Sequence, residues 1–523
     1  MATQSRLTTK ELALVFIGLL AGLLLAALDQ TVVATALPTI VGELGGLDHY
    51  SWVVTAYLLS STVTTPLYGK ISDLYGRRIV FRAAIVIFLI GSLLAGVAQD
   101  MLQLILFRGI QGAGAGGLMA MAFAIVGDVL SPRERGRYMG FLGAAFAFAS
   151  VVGPLVGGFI VDNASWRWVF LINLPVGVAA LAITSTALKH LTINRRSHRI
   201  DWQGAALLVG GATSLLLVLV WGGVEYPWTS DVVIGLGITG VLLTASFVFW
   251  EGKAAEPILP LRLFRTSIFT VTSIIGFMIG CAMFGGVVFL PLFLQVVMQA
   301  SATDSGLLLL PFMAGIMTAS VGSGRMISHT GRYRSFPIAG TAIATVGAYL
   351  LSTMDATTGR TTSSIYMLIF GLGLGMTIQV LVLAVQNAVP HHDLGVATSA
   401  ATFFRSMGGS FGVALYGAIL NYRLSVELPA LLPASALAGV GANVSSLMSS
   451  PAAIRSMPPA VRNGIIEALT RGLHSVFFWT LPLLVVAFVV SWWLEELPLR
   501  ETAHVDLGLI EGAGEELALH PES

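Results

Sequence analysis

Gly69-Lys70-Ile71-Ser72-Asp73-Leu74-Tyr75-Gly76-Arg77-Arg78 separates two long apolar runs, residues 50–68 and 79–98. Each run has about twenty residues, enough to cross a hydrocarbon core about 30 Å thick. The stretch between them carries three cations and one carboxylate. Such a turn cannot lie in lipid, and its cations predict a cytoplasmic position. The chain is therefore expected to cross a membrane on both sides of a tight cytoplasmic turn.

The composition extends this interpretation to the whole chain. Of 523 residues, 55% are hydrophobic and 11% are charged. Soluble proteins carry about 25% charged residues, so the composition predicts an all-α membrane protein that crosses the bilayer many times. The formal net charge of +1 gives no indication of nucleic-acid binding. The single cysteine, Cys281, lies in an apolar run and is expected to be a buried, inert thiol.

Apolar stretches of spanning length recur along the sequence. They predict about fourteen transmembrane helices, near residues 12–38, 50–68, 79–98, 101–127, 137–161, 168–187, 202–222, 231–250, 267–297, 304–326, 335–352, 363–388, 395–421 and 473–494. An even number of spans places both termini on one side of the membrane. Most loop Lys and Arg residues fall on that same side, which predicts that both termini are cytoplasmic.

The opening stretch has a counterpart in the second half of the chain. Gly69 and Gly76 correspond to Gly324 and Gly331, an offset of 255 residues (324 − 69). The same offset carries the first predicted span onto the ninth, so two parallel six-helix halves are expected. The predicted organisation is a first bundle at 1–187, a two-helix insert with cytoplasmic linkers at 188–266, a second bundle at 267–497 and a disordered cytoplasmic tail at 498–523. The second bundle includes a long outer loop at 422–472, in which residues 458–471 are predicted to form a short interfacial helix.

Asp29 is the candidate proton-coupling residue. It is the only carboxylate in the interior of a predicted span, where a charge costs at least a few kcal/mol and is presumed functional. Counted at about 1.5 Å per residue, Asp29 and Arg108 both lie about 10–14 Å below the outer surface. They are predicted to meet, directly or through Gln111, so that Asp29 can bind and release a proton. A permanently ionised buried pair is the alternative.

Several motifs carry a resemblance to a known family. Arg108-x-x-Gln111-Gly112, Gly153-Pro154-x-x-Gly157-Gly158 and the opening stretch resemble the helix 4, helix 5 and helix 2–3 motifs of the major facilitator superfamily. Leu28-Asp29-x-Thr31-Val32-Val33 and Trp166-Arg167-Trp168 with Asn173-x-Pro175-x-Gly177 resemble patterns of its 14-helix drug:proton antiporters. Small residues in the helix 5 motif allow close helix contact, and Pro154 bends the helix. One departure is Ala149, where the family usually has glycine.

This resemblance implies a fold and a function. The fold is two six-helix bundles plus two inserted helices, and the helix 5 motif is typical of exporters and generally absent from uptake carriers. The implied function is proton-coupled antiport that exports lipophilic small molecules by alternating access across a bacterial cytoplasmic (inner) membrane. The late helices lack the carboxylates that some relatives use for dicationic drugs, which favours neutral or monocationic substrates.

The resemblance also implies a conformational latch, formed by Gly69, Asp73, Gly76, Arg77, Arg78 and Asp128. Asp73 is expected to face the N-terminus of a neighbouring helix, where the helix dipole favours an anion. Arg77 is expected to pair with Asp128, and these contacts close the cytoplasmic side. The alternative is that Arg77 and Arg78 act only as topology determinants.

The substrate cavity is predicted only in outline. Its candidates are polar or flexible side chains inside spans: Tyr57, Gln295, Met313, Gln379, Gln386 and Arg405. Flexible methionines suit promiscuous surfaces, although most of them serve packing. No catalytic residue, cofactor or metal site is predicted, and the protein is not expected to be an enzyme.

The expected partners are a small lipophilic substrate, protons and membrane lipid, without nucleic acid; a periplasmic or lipoprotein partner is left open. Two alternatives on the same fold remain. One is a lipid or glycolipid flippase in which the outer loop 422–472 acts as a lid, and the other is a dedicated secondary-metabolite exporter. An ATP-driven pump is disfavoured, because the sequence has no Gly-x-x-x-x-Gly-Lys-Ser/Thr phosphate loop.

Overall fold

The structure, a computed structural model, describes residues 9–44, 50–130, 132–188, 201–223, 226–300, 302–390, 393–432 and 457–499. These ranges are almost wholly helical and contain no β-strand. The helices are α1 (Thr9–Leu44), α2 (Tyr50–Tyr75), α3 (Arg77–Gly96), α4 (Met101–Val129), α5 (Pro132–Asn163), α6 (Trp168–Leu171), α7 (Asn173–Ala187), α8 (Trp202–Trp221), α9 (Asp231–Glu251), α10 (Ser267–Leu292), α11 (Ala302–Leu308), α12 (Leu310–Thr330), α13 (Ser335–Ser352), α14 (Arg360–Ala388), α15 (Leu394–Leu431) and α16 (Pro459–Ser491).

Most of these helices can cross a bilayer. Among the described residues, 11 helical segments are both long and apolar enough to do so. Three further long helices, α2, α5 and α15, are richer in small and polar residues and fall outside that set. The all-helical, many-spanning class is confirmed, and the predicted number of fourteen spans stays a prediction.

Two hydrophobic cores form on either side of the insert. The first is built from α1 to α7, with Phe81 and Phe123 buried in it, and the second from α10 to α16, with Phe312 and Phe370 at its centre. In the insert, α8 packs on α9 and also on α2 of the first half and α15 of the second. The insert therefore contacts both halves, and the division at 188–266 stays a prediction.

Positive φ angles mark the repeated turn in both halves. Gly76 separates α2 from α3 with φ +90°, and Gly331 follows α12 with φ +72°. Residues with a side chain rarely adopt such backbone angles, so glycine is required at both positions. The end of the bundle that carries these two turns is called the inner end below, and the opposite end the outer end.

The outer loop is shorter than predicted. Helix α15 continues to Leu431 and α16 begins at Pro459, so the separate helix predicted at 458–471 is wrong: these residues are the first turns of α16. Arg471 explains the extension, because it pairs with Glu427 of α15 and Glu467 of its own helix, at 2.9 Å each. The middle of the predicted loop, the basic linker 189–200 and the tail from residue 500 lie outside the described residues.

Candidate functional site

Asp29 and Arg108 form an ion pair inside the first half. Asp29 on α1 and Arg108 on α4 are both buried, and a carboxylate oxygen of Asp29 lies 2.5 Å from Nη1 of Arg108. The structure thus shows the contact between Asp29 and Arg108 that was predicted from their similar depth in the membrane. Arg108 also donates to the backbone carbonyl of Val53 at 3.2 Å, which fixes the guanidinium in the core.

A polar network extends from this ion pair over three more side chains. Gln111 donates to Asp29 at 2.8 Å and accepts from Arg108 at 2.7 Å. Asn173, at the start of α7, donates to the same Asp29 oxygen at 2.8 Å, and both amides contact Ser92 of α3. Asn173 appeared in the sequence only as part of a motif, and Ser92 was missed, because neutral polar residues are common in helices that cross membranes.

Aromatic rings close the network. The guanidinium of Arg108 lies 4.1 Å from the ring centroid of Tyr57 and 5.8 Å from that of Phe170. The hydroxyl of Tyr57 donates to the carbonyl of Ala26 on α1 at 3.0 Å. Tyr57, predicted to line the substrate cavity, therefore belongs to the Asp29 network. Burial among aromatic rings strengthens the attraction between Asp29 and Arg108, since electrostatic interactions are poorly screened in an apolar environment.

The helix 5 motif packs against the part of α1 that carries Asp29. A Cβ atom at Gly153 would overlap the side chain of Thr31, and one at Gly157 would lie 2.8 Å from the carbonyl of Val32. Thr31 in turn donates to the carbonyl of Ala149 at 3.0 Å. Two of the motif's glycines thus allow backbone contact with α1. The third, Gly158, faces open space; Pro154 lies within α5.

The predicted latch joins the two halves at the inner end. Asp73 of α2 accepts a hydrogen bond from the backbone N–H of Val396, in the first turn of α15, at 2.9 Å. Arg77 lies 2.5 Å from Asp73 and 2.7 Å from Asp128. Asp393 precedes α15 but does not cap it, since its carboxylate accepts from Arg262 at 2.8 Å. Asp73 therefore supplies the N-cap from the opposite half.

Burial changes the acidity of the latch. Asp73 lies beyond the apolar run 50–68, at the inner end of α2. Burial raises the pKa of its carboxyl to about 6, against the lowering effect of Arg77, and Asp128 adds to the rise. Two carboxylates share one guanidinium, so a proton on Asp73 relieves the excess negative charge.

Glycines allow the latch to close. A Cβ atom at Gly69 would lie 2.5 Å from the side chain of Ser399 on α15, and one at Gly395 would overlap Asp73 and Arg77. Arg78, also assigned to the latch from the sequence, instead donates to the carbonyl of Ser185 on α7 at 3.1 Å. It joins two helices of the first half, and among the described residues it makes no hydrogen bond or ion pair to the second half.

The remaining predicted cavity residues fall into two groups. Gln295 lies near the outer end, 3.4 Å from the hydroxyl of Ser305, and Met313 is buried in the core of the second half. Gln379, Gln386 and Arg405 face the first half: the amide of Gln379 lies beside Gly143, while Gln386 and Arg405 contact Phe123. The last three are candidates for an interface with substrate.

Other chemistry finds little support in the described ranges. No cluster of His, Cys, Asp and Glu side chains there is suited to a metal ion. A groove of about 230 Å³ between the turn Leu261–Arg265, α10 and α15 has apolar walls that include Phe264, Phe277 and Phe404. None of the six predicted cavity residues lines it.

The sequence of residues 19–413 matches the Major Facilitator Superfamily. The chain belongs to the Major Facilitator Superfamily. An uncharacterised transporter of this superfamily from Mycobacterium tuberculosis is 41% identical over 97% of the chain and 73% of its own length. Multidrug transporter protein MdtP of Bacillus subtilis is 38% identical over 93% of both chains. A transporter of the acurin A biosynthesis cluster of Aspergillus aculeatus is 34% identical over 95% of this chain and 91% of its own.

Solved structures agree on the architecture. The human organic anion transporter MFSD10 superposes with a TM-score of 0.63 at 16% identity, covering 92% of this chain and 100% of the other. At that identity the likeness shows the fold alone. Membership of the Major Facilitator Superfamily makes the protein a multi-pass membrane transporter rather than an enzyme. Its relatives come from bacteria and fungi, so the bacterial inner membrane stays a proposal.

Proposed function

We propose that this transporter exports lipophilic small molecules in exchange for protons. The observation that carries the proposal is the buried carboxylate of Asp29, held by Arg108, Gln111 and Asn173 inside the first half. The similarity of the whole chain to MdtP, a multidrug transporter, supports lipophilic small molecules as the substrate class. We place it in a bacterial inner membrane with both termini in the cytoplasm, following the distribution of loop cations.

Coupling follows from the cost of breaking the ion pair. A proton on Asp29 would leave the Arg108 guanidinium buried without its counter-charge, and such an uncompensated ion costs several kcal/mol. The helices that hold the two residues, α1 and α4, must then rearrange, or Arg108 must find another acceptor. Protonation and helix movement are thereby linked, which is what an antiporter requires.

We infer the place of this conformation in the transport cycle from the contacts of the latch. Asp73 and Val396 hold the two halves together at the inner end, and Gln386 donates across the same boundary to the carbonyl of Phe123 at 3.0 Å. These contacts close the inner end. In this state substrate is released outward and the carrier is ready to accept a proton.

The substrate charge proposed here differs from the charge predicted from the sequence. The prediction of neutral or monocationic substrates depended on the lack of carboxylates in the late helices and on a single acid facing Arg108, the carboxylate of Asp29. Both of its oxygens accept hydrogen bonds from side chains of the protein itself, and the carboxylate is buried. It is not presented to a bound cation in this conformation. The proposal therefore specifies lipophilic substrates without a preference for cations.

Export of a single secondary metabolite is the second candidate function. The transporter of the acurin A biosynthesis cluster is similar over nearly the whole chain, which favours this alternative within the same mechanism. A flippase has no comparable support, since the middle of the loop proposed as its lid lies outside the described residues.

Transport in proteoliposomes tests the proton mechanism. With an imposed pH gradient, wild-type protein should accumulate a neutral lipophilic dye, Nile red, against its gradient. Asp29→Asn keeps the size of the side chain but cannot release a proton, so pH-driven transport should fall to the level of empty liposomes while substrate exchange without a gradient persists. Asp231→Asn, at an exposed position in α9, is the matched control. Full pH-driven transport by Asp29→Asn would exclude Asp29 as the proton carrier.

A further inference from the structure

Arg405 is a permanent cation without a counter-ion in the part of the chain that the structure describes. It is half-buried on α15. Among the described residues, no carboxylate, hydroxyl or carbonyl accepts a hydrogen bond from it. Arg405 instead makes a cation–π contact with the ring of Phe123, whose centroid lies 5.6 Å from the guanidinium carbon. Arginine stays protonated in proteins. An unpaired charge inside a membrane protein is costly, so its presence points to a ligand that supplies the missing negative charge.

The position of Arg405 is that of a substrate contact. Arg405 is 11 residues (405 − 394) beyond the start of α15 at the inner end. At about 1.5 Å per residue this places it about 16 Å deep, near the middle of a core about 30 Å thick. Phe123 belongs to α4 of the first half, so the guanidinium reaches across the boundary between the halves. Transporters built from two such repeats hold their substrates at this depth and on this boundary.

Comparison with Arg108 shows what is unusual about Arg405. Both arginines lie inside membrane helices, but Arg108 is neutralised by Asp29 at 2.5 Å. That pair contributes no net charge to the interior. Arg405 therefore leaves one uncompensated positive charge at the boundary between the halves. A cationic solute would be repelled there, whereas a solute with one negative charge would be bound.

Neighbouring groups suit an anion with a large apolar part. The ring of Phe123 supports one face of the guanidinium by a cation–π contact, which leaves its N–H groups free to donate in the plane. Gln379 lies at a similar depth, 9 residues (388 − 379) from the inner end of α14, beside Gly143 of the first half. Its Oε1 atom is buried without a hydrogen-bond partner among the described residues, so its amide can reorient toward a bound solute.

We propose that Arg405 is the specificity-determining residue of the substrate cavity and that lipophilic monoanions, bound through a carboxylate, sulfonate or phosphodiester group, are preferred over neutral lipophilic substrates. The guanidinium donates two parallel hydrogen bonds to such a group, and apolar side chains contact the rest of the molecule. This inference rests on the proposed function in one respect, namely that a lipophilic solute occupies the boundary between the halves. It replaces the earlier expectation of neutral or monocationic substrates.

The test uses three probes that share a pyrene ring and a butyl chain and carry head groups of different charge. They are 1-pyrenebutyrate, its primary amide, and the corresponding pyrenebutyl trimethylammonium ion, titrated against the purified full-length protein in a neutral detergent and followed by fluorescence anisotropy. Wild-type protein should bind the carboxylate at least about tenfold more tightly than the amide, since hydrogen bonds to charged groups are among the strong ones. The ammonium ion should bind most weakly.

Variants assign this preference to Arg405. Arg405→Gln should abolish the preference for the carboxylate while the affinity for the amide, which reports an intact cavity, stays unchanged. Arg405→Lys should keep part of the preference, because it keeps the charge but loses the planar fork. Arg360→Gln, the same substitution at an exposed position, is the control and should behave as wild type.

Three results would overturn the inference: equal binding of carboxylate and amide by wild-type protein, an undiminished preference in Arg405→Gln, or no binding of any probe. Failure of the proton mechanism has a different signature. If Asp29→Asn kept full pH-driven export, the carboxylate preference of Arg405 would still stand. If the preference were absent while pH-driven export of Nile red persisted, only the assignment of Arg405 would be wrong.

Discussion

At the scale of single residues, one guanidinium in the latch serves two carboxylates. Burial raises the pKa of Asp73 to about 6, from about 3.9 for an exposed aspartate. Between about pH 4 and pH 6 the closed latch therefore holds a proton that an open latch has released. The stabilisation of the closed state by this proton is complete below about pH 4 and is lost as the pH rises through 6. Acid on the inner side should favour closure.

Asp73→Asn separates the charge of this residue from its role as a cap. Asparagine keeps an acceptor for the N–H of Val396 but carries no charge and does not titrate. We expect wild-type protein to shift toward the closed inner end between pH 7.5 and 5, and Asp73→Asn to stay closed throughout that range. Pulsed EPR distances between spin labels at Arg82 and Arg332, exposed on opposite halves, measure the populations. The same pH profile in Asp73→Asn as in wild type would refute this assignment.

Gly395→Ala tests the fit of the latch. Its added methyl group would overlap Asp73 and Arg77, and neither can move away without breaking an ion pair. The closed population at pH 7.5 should fall well below that of wild type in the same EPR measurement. Gly417→Ala, on the same helix but with open space around the added Cβ, is the control and should leave the population unchanged. An equal effect of both substitutions would indicate a general loss of helix stability.

At the scale of helices, the contact between α1 and α5 positions Asp29. Thr31 lies two residues after Asp29, and its side chain occupies the space that a Cβ atom at Gly153 would need. Gly153→Ala should therefore push α1 away, destabilise the protein by about 1–3 kcal/mol and disturb the Asp29–Arg108 pair. Gly158→Ala, five residues further along α5, meets nothing within 4 Å and should be neutral or slightly stabilising. Thermal unfolding in detergent compares the two, and pH-driven transport shows whether only Gly153→Ala uncouples.

The sequence predicts helices and depths better than it predicts which way side chains face. Asp29 and Arg108 could be paired because charges are rare in spans and residue counting gives their height in the membrane. Gln295 and Met313 were chosen only as polar or flexible side chains inside spans, and they lie at the outer end and in the second core. Counting residues does not give the rotation of a helix about its axis. Asn173 and Ser92 were hidden for a different reason, since neutral polar side chains carry no cost that singles them out.

Helix ends were also hard to place. The extension of α16 to Pro459 depends on Arg471 pairing with Glu427 of α15, a contact between residues 44 positions apart. Hydropathy cannot reveal it, because these turns are polar. The N-cap of α15 is similar: Asp393 directly precedes the helix, but Arg262 holds its carboxylate, and Asp73 caps the helix instead. Only the resemblance to a known motif indicated that contact.

At the scale of the whole molecule, transport requires that neither the closed nor the open inner end be too stable. Asp73→Asn is expected to favour the closed state. Gln386→Ala should favour the open state, since it removes a hydrogen bond to the carbonyl of Phe123 across the boundary, worth about 1 kcal/mol. That corresponds to a factor of about 5 in the equilibrium between the two states. Each single variant should slow pH-driven export while binding of Nile red changes little.

The double variant Asp73→Asn/Gln386→Ala distinguishes a shifted equilibrium from damage to the site. If both substitutions act on one two-state equilibrium, their opposite effects should cancel, and the double variant should recover the distance distribution and much of the export rate of wild type. Asp73 and Gln386 contact different residues of the other half, so their effects are expected to be nearly independent. Export slower than in either single variant would show that one residue contributes to substrate binding or folding, and the latch would then not control the equilibrium.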